Sequence, residues 1–159
     1  MGAARPDMPG VFLRTRSWIR DGQLYRFDPA AKQLVNTHLV PPGKFSAPEG
    51  LTATEVLVVS HDGVKVPLSI VHRSDIQLDG SNPTLISGYG AYGHIAPMGY
   101  DPTNLAWLER GGVLATAHVR GGGAFGKEWH HAGRKTTKPN TWKDFIACAE
   151  YLVLSLIHI

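Results

Sequence analysis

Pro83-Thr84-Leu85-Ile86-Ser87-Gly88-Tyr89-Gly90-Ala91-Tyr92-Gly93 is the stretch on which the reading of this sequence turns. Its apolar start, Pro83 to Ile86, reads as a short buried strand, and the remainder as a sharp turn. Val113 to Val119 repeats the pattern, an apolar run discharging into Arg120-Gly121-Gly122-Gly123. Between the two lies Asp101-Pro102-Thr103-Asn104-Leu105-Ala106-Trp107-Leu108-Glu109-Arg110-Gly111. This reads as a helix capped by Asp101, with Pro102 in its first position and Gly111 as its stop. Strand, helix, strand at this length is a βαβ unit and implies parallel pairing. Two parallel strands that end in glycines form one rim of an α/β cleft, where ligands collect.

Toward the N-terminus the pattern shortens. Val11 to Arg16 and Leu24 to Phe27 flank Arg20-Asp21-Gly22, a hairpin signal, and Asp28 to Ala31 turns the chain into a third strand, Gln33 to Leu39. Three short antiparallel strands are too few to stand alone and fit one sheet of a larger all-β unit, such as a propeller blade. Pro41-Pro42-Gly43-Lys44 through Pro48-Glu49-Gly50 reads as a linker, so the expected domains are residues 1–50 and 51–159. After the linker, Glu55 to Ser60 and Val64 to Val71 form a hairpin around Asp62-Gly63, and Pro67 points to an edge or a bulge for its second strand. A last helix is expected from the capping box Thr141 to Asp144, with Trp142, Phe145, Ile146, Ala149, Leu152 and Val153 on the face that meets the sheet.

Composition bounds the possible functions. Of 159 residues, 43% are apolar and 18% charged, a globular balance, and the net charge of +3 is modest. The basic stretch Arg120 to Lys143 is interrupted by Glu128 and lacks the aromatic interleaving of a nucleic-acid surface. No apolar run approaches the ~20 residues of a membrane span. Cys148 alone excludes an internal disulfide framework and reads as a small packed residue. The first residues lack the apolar core of a secretory signal. Localisation stays open between cytoplasm and periplasm.

Several motifs invite readings that their neighbours reject. Gly88 to Gly93 is formally G-x-G-x-x-G, but a dinucleotide site needs a helix opening on those glycines, and His94 to Gly99 intervenes. Gly121 to Lys127 misses a phosphate loop because Glu128 stands where Ser or Thr would hold magnesium. His94, His118, His130 and His131 lack Cys or carboxylate partners at ligand spacing. No cofactor or metal is expected. Tyr89 keeps two readings: a phenol donating into the cleft, or an aromatic packed at a tight turn.

Further motifs give a resemblance. Asp62-Gly63-x-x-Val66-Pro67, Gly88-Tyr89-Gly90-Ala91-Tyr92, Gly111-Gly112-Val113-Leu114-Ala115, Arg120-Gly121-Gly122-Gly123, Gly126-x-x-Trp129-His130, Lys138-x-Asn140-Thr141-Trp142 and Asp144-Phe145-x-Ala147-x-Ala149-Glu150-Tyr151-Leu152 resemble the prolyl oligopeptidase family of serine peptidases. The resemblance covers about residues 55 to 153. It implies an α/β fold, an incomplete α/β-hydrolase domain preceded by the last strands of a β-propeller, and a parent enzyme that cleaves short peptides after proline through an acyl-enzyme. It makes Tyr89 the oxyanion-hole tyrosine, puts Tyr92 at the proline pocket, and places Arg120 in a loop after the fourth strand, with Tyr92 and Arg120 expected to bind substrate. Many members carry Glu after the three glycines, where this chain has Ala124.

The family's nucleophile sits in a G-x-S-x-G elbow, followed by Asp and then His. The sequence has no such elbow, so the resemblance implies that none of its eight histidines is the catalytic one. A chain truncated before its nucleophile, with residues 154–159 departing from the family's continuation, is expected to be catalytically incompetent alone. Another α/β-hydrolase, an esterase or aminopeptidase, and a non-enzymatic binding module are the alternatives.

Overall fold

The computed structural model of the chain describes residues 2, 3, 10–96 and 98–155. They fall into two compact units: one reaches to Glu49 and takes in Met98–Pro102, and the other runs from Gly50 and resumes at Thr103. No composition shift in the sequence announces that Met98–Pro102 belongs with the first unit.

The first unit is an antiparallel sheet of β1 (Gly2–Ala3), β2 (Val11–Arg14), β3 (Leu24–Asp28) and β4 (Gln33–Asn36), in that order. The expected hairpins are present, with Leu13 opposite Tyr25 and Phe27 opposite Leu34. Asp28 makes the second turn by accepting the N–H groups of Ala30 and Ala31. The pair β1–β2 adds a fourth strand beyond the three read from the sequence.

The second unit is a mixed sheet in the order β5–β6–β8–β7, from β5 (Leu51–Val59), β6 (Lys65–Arg73), β7 (Thr84–Gly88) and β8 (Val113–Ala117). β7 and β8 pair in parallel, as the βαβ spacing requires, with Ile86 opposite Ala115. Their connection holds a 3-10 turn, Pro102–Asn104, and the single-turn helix α1 (Leu105–Leu108), and Gly111 ends it at φ +80°. β5 alternates as a half-covered strand should: Val58 is buried while Leu57 and Val59 are exposed. β6 is buried from Val66 to Val71 because strands flank it on both sides. Pro67 therefore lies on an interior strand, not at an edge. Its carbonyl accepts His118 N–H just past the last β6–β8 pair, Leu68 with Ala117, so its missing N–H faces a place where the ladder has already ended.

After the short helix α2 (Lys127–His131), the helix α3 (Pro139–Ser155) packs on β5, β6 and β8, closing a core of Val66, Leu68, Val113, Ala115, Ala117, Cys148 and Leu152. Its start and its inner face both differ from the sequence reading. Pro139 takes the first turn, and Thr141 faces inward with Asp144, Cys148 and Leu152, while Trp142, Ile146 and Val153 stay exposed. The buried stripe is set by what Asp144 must reach, described below. Cys148 is fully buried, and desolvation with the nearby Asp144 charge pushes its thiol up to about 12.

Candidate functional site

Two loops leave the carboxyl ends of β7 and β8 side by side. The first begins at Tyr89 and turns back at Gly90; the second begins at His118 and turns at Gly121. They interlock through backbone bonds: Gly93 N–H donates to Gly121 O (3.1 Å) and Gly123 N–H to His94 O (3.0 Å). Gly90 adopts φ +62° and Gly121 φ +94°, conformations that L side chains rarely hold. Space forbids a side chain as well. A Cβ on Gly121 would lie 2.1 Å from Gly90 O, and one on Gly90 would lie 2.3 Å from Thr141 Cγ2. No helix opens on these glycines, since α1 starts only at Leu105.

Tyr89 follows the last residue of β7 and keeps 57% of its surface open. Its ring meets His94 edge to face, centroids 5.7 Å apart. Tyr89, Tyr92, His94 and Ala96 line an open recess of about 440 Å³. Tyr92, one of the lining residues, is 87% exposed on a backbone of φ 54°. Tyr89 and Tyr92 are therefore brought together, as the sequence reading grouped them.

Arg120 is not with them. It is 3% exposed, and its guanidinium is the centre of a cluster it shares with Asp62 and Asp144. Nε donates to Asp144 Oδ2 (2.9 Å), Nη2 to Asp144 Oδ1 (2.6 Å) and Asp62 Oδ1 (3.1 Å), and Nη1 to Asp62 Oδ2 (2.6 Å). This departs from the expectation that Arg120 binds substrate: a guanidinium with both edges on carboxylates has little left to offer one. The paired charges raise its pKa further above an already high value. Asp144, 0% exposed, also accepts the Arg120 backbone N–H (3.0 Å) and the Ser60 hydroxyl (2.7 Å). Asp144 is thus a buried acceptor and not a capping-box residue. Asp62 sits in the hairpin turn between β5 and β6, so the cluster ties that turn, the β8 loop and α3 to one point.

Three more side chains hold the loops and were not singled out from the sequence as site residues. Thr141 Oγ1 donates to Arg120 O (2.7 Å), Lys138 Nζ to Gly90 O (2.6 Å), and His130 Nδ1 lies 2.8 Å from Gly121 O. A carbonyl partner fixes the proton of His130 on Nδ1. His118 lies apart from these, its Nε2 2.9 Å from the buried Ser69 hydroxyl; desolvation lowers its pKa against the opposing pull of Glu55. Among the described residues no group of three His, Cys, Asp or Glu side chains is placed to hold a metal ion, and no helix is long and apolar enough to cross a membrane.

The cluster has a consequence in acid. Hydrogen bonds from Arg120 hold the Asp62 carboxyl down at about 2. A depressed carboxylate pKa contributes stability that is complete above the ordinary range near 3.8 and is lost as pH falls toward 2. With the Asp62 side chain 35% open, solvent screening leaves an effect of about 1 kcal/mol. Acid-unfolding curves should show that loss in the unmodified protein and its absence in Asp62→Asn. Superimposable curves would contradict the coupling.

Residues 98–157 match the model of the prolyl oligopeptidase family. A prolyl endopeptidase of Elizabethkingia meningoseptica is 40% identical over 112 residues, 70% of this chain and 16% of that protein. A dual function macrocyclase-peptidase of Amanita bisporigera is 36% identical over 152 residues, 94% of this chain and 21% of that one. A solved structure of prolyl oligopeptidase B from Galerina marginata, bound to a 35-residue hydrolysis and macrocyclization substrate, superimposes with a TM-score of 0.89 at 32% identity, covering 99% of this chain and 23% of that one. The chain spans about a fifth of the length of the relatives it matches.

Proposed function

Because this chain belongs to the prolyl oligopeptidase family, we propose that it supplies one half of a serine peptidase site, the half that steadies negative charge. The observation that carries this reading is the Tyr89 phenol, open to solvent at the carboxyl end of a parallel strand and beside a recess. In acyl transfer, a serine adds to the peptide carbonyl and the oxygen becomes an anion. Tyr89 O–H donates to that anion together with a backbone N–H beside the serine, and the charge is stabilised only once it forms. Tyr92, across the recess, presents an aromatic face to the proline side of the scissile bond.

Residues 51–159 then read as the first part of an α/β-hydrolase domain, and residues 1–50 as the end of a β-propeller. What supports this is the mixed sheet with its parallel β7–β8 pair in one unit, and the antiparallel meander in the other. The substrate is a short peptide cut after proline. The nucleophile, its Asp and its His belong to sequence outside this chain, which has no G-x-S-x-G.

The full-length protein is expected to release chromophore from a proline-containing chromogenic peptide, and the 159-residue chain alone to release none. Turnover by the isolated chain would overturn the split between the two halves. A full-length protein active on esters but not on peptides would overturn the peptidase reading.

A further inference from the structure

Resting on Tyr89 as the oxyanion donor, we propose that Arg120 is a positioning residue: clamped between Asp62 and Asp144, it fixes the Gly121 backbone against which the Tyr89 turn is laid. The connection is short and consists of contacts. Both backbone polar groups of Arg120 are held by α3, its N–H by Asp144 (3.0 Å) and its carbonyl by Thr141 (2.7 Å). Gly121 follows directly, and its carbonyl takes Gly93 N–H (3.1 Å) and the His130 ring (2.8 Å). Gly90, the residue after Tyr89, presses its carbonyl into the space a Gly121 side chain would need. Lys138 grips the same carbonyl through Nζ (2.6 Å). A shift of the Arg120 backbone therefore reaches Tyr89 across one pair of touching glycines. The guanidinium itself does not line the recess.

The alternative role is plain stability, and the two predict different kinetics. Arg120→Lys keeps the charge but replaces a planar fork with a point donor that cannot bridge two carboxylates in the same way. Peptide turnover and thermal melting are measured for the full-length protein and its Tyr89→Phe, Arg120→Lys and doubly substituted forms. If Arg120 acts through the phenol, Arg120→Lys lowers kcat about tenfold with KM nearly unchanged, and costs less than about twofold once the Tyr89 hydroxyl is gone. An equal loss of kcat with and without that hydroxyl overturns the proposal, as does a lowered melting temperature with unchanged kcat. A Tyr89→Phe form with undiminished kcat removes the underlying reading first, and the positioning role with it. Should Arg120→Lys fail to fold, Asp62→Asn, which leaves the Asp144 pair in place, enters the same cycle with the same expectations.

Discussion

Tyr89→Phe in the full-length protein is expected to lower kcat about 10²- to 10³-fold on a proline-containing peptide while KM changes little. The estimate is the usual loss of one oxyanion donor, about 2.7–4 kcal/mol of transition-state stabilisation. The substitution is clean because Phe keeps the ring, its edge contact with His94 and the wall of the recess. Only the O–H is lost, and with the residue 57% exposed little folding energy is lost with it. The loss should appear in kcat because the anion exists only near the transition state. A higher KM at unchanged kcat would mean that Tyr89 merely touches substrate. No change in either would reduce it to a turn aromatic.

Asp144→Ala should give the largest loss of stability of any single change in the cluster. Its removal leaves the Arg120 guanidinium buried with Asp62 as its remaining carboxylate, and takes the acceptor from Ser60 Oγ and from the Arg120 backbone N–H. Breaking a buried pair on one side typically costs about 3–5 kcal/mol. Asp62→Asn should cost about 1 kcal/mol, because its site is about a third open to water. Melting temperatures and limited proteolysis of the Gly121–Gly126 loop measure the order. Equal losses at the two positions would show that burial does not govern this cluster.

The fold was legible where periodicity and punctuation agree. Asp62-Gly63 marked the β5–β6 turn, the apolar runs at 83–86 and 113–119 marked the parallel pair, and Gly111 marked the stop before β8. That Tyr89 and Tyr92 lie close together was legible for a related reason, since both sit in one glycine-rich turn at a strand's carboxyl end, and they line one recess. The surroundings of Arg120 were not legible because its partners are not local. Asp144 lies 24 positions away and Asp62 lies 58, and no spacing rule links an arginine to either. One signal was available. Asp144 stands three residues after Thr141 and four before Cys148, a carboxylate on a helix stripe whose other members are small or apolar. A charge there demands a buried cation, and the only question is which one. The capping-box reading of Thr141 hid that demand by assigning Asp144 to the solvent end of the helix. The same step displaced the inner face, so that Trp142, Ile146 and Val153 were expected inside and are found outside.

The hydrogen bonds that brace the Tyr89 turn all lie between Ser60 and Asp144. Synthesis proceeds from the N-terminus at about 5–20 residues per second, so the ribosome makes this stretch in roughly ten seconds. All the bonded partners of the Tyr89 turn are therefore made before any residue after Asp144. The brace is thus local to one stretch of chain, and a nascent polypeptide holds every one of its partners once Asp144 has emerged.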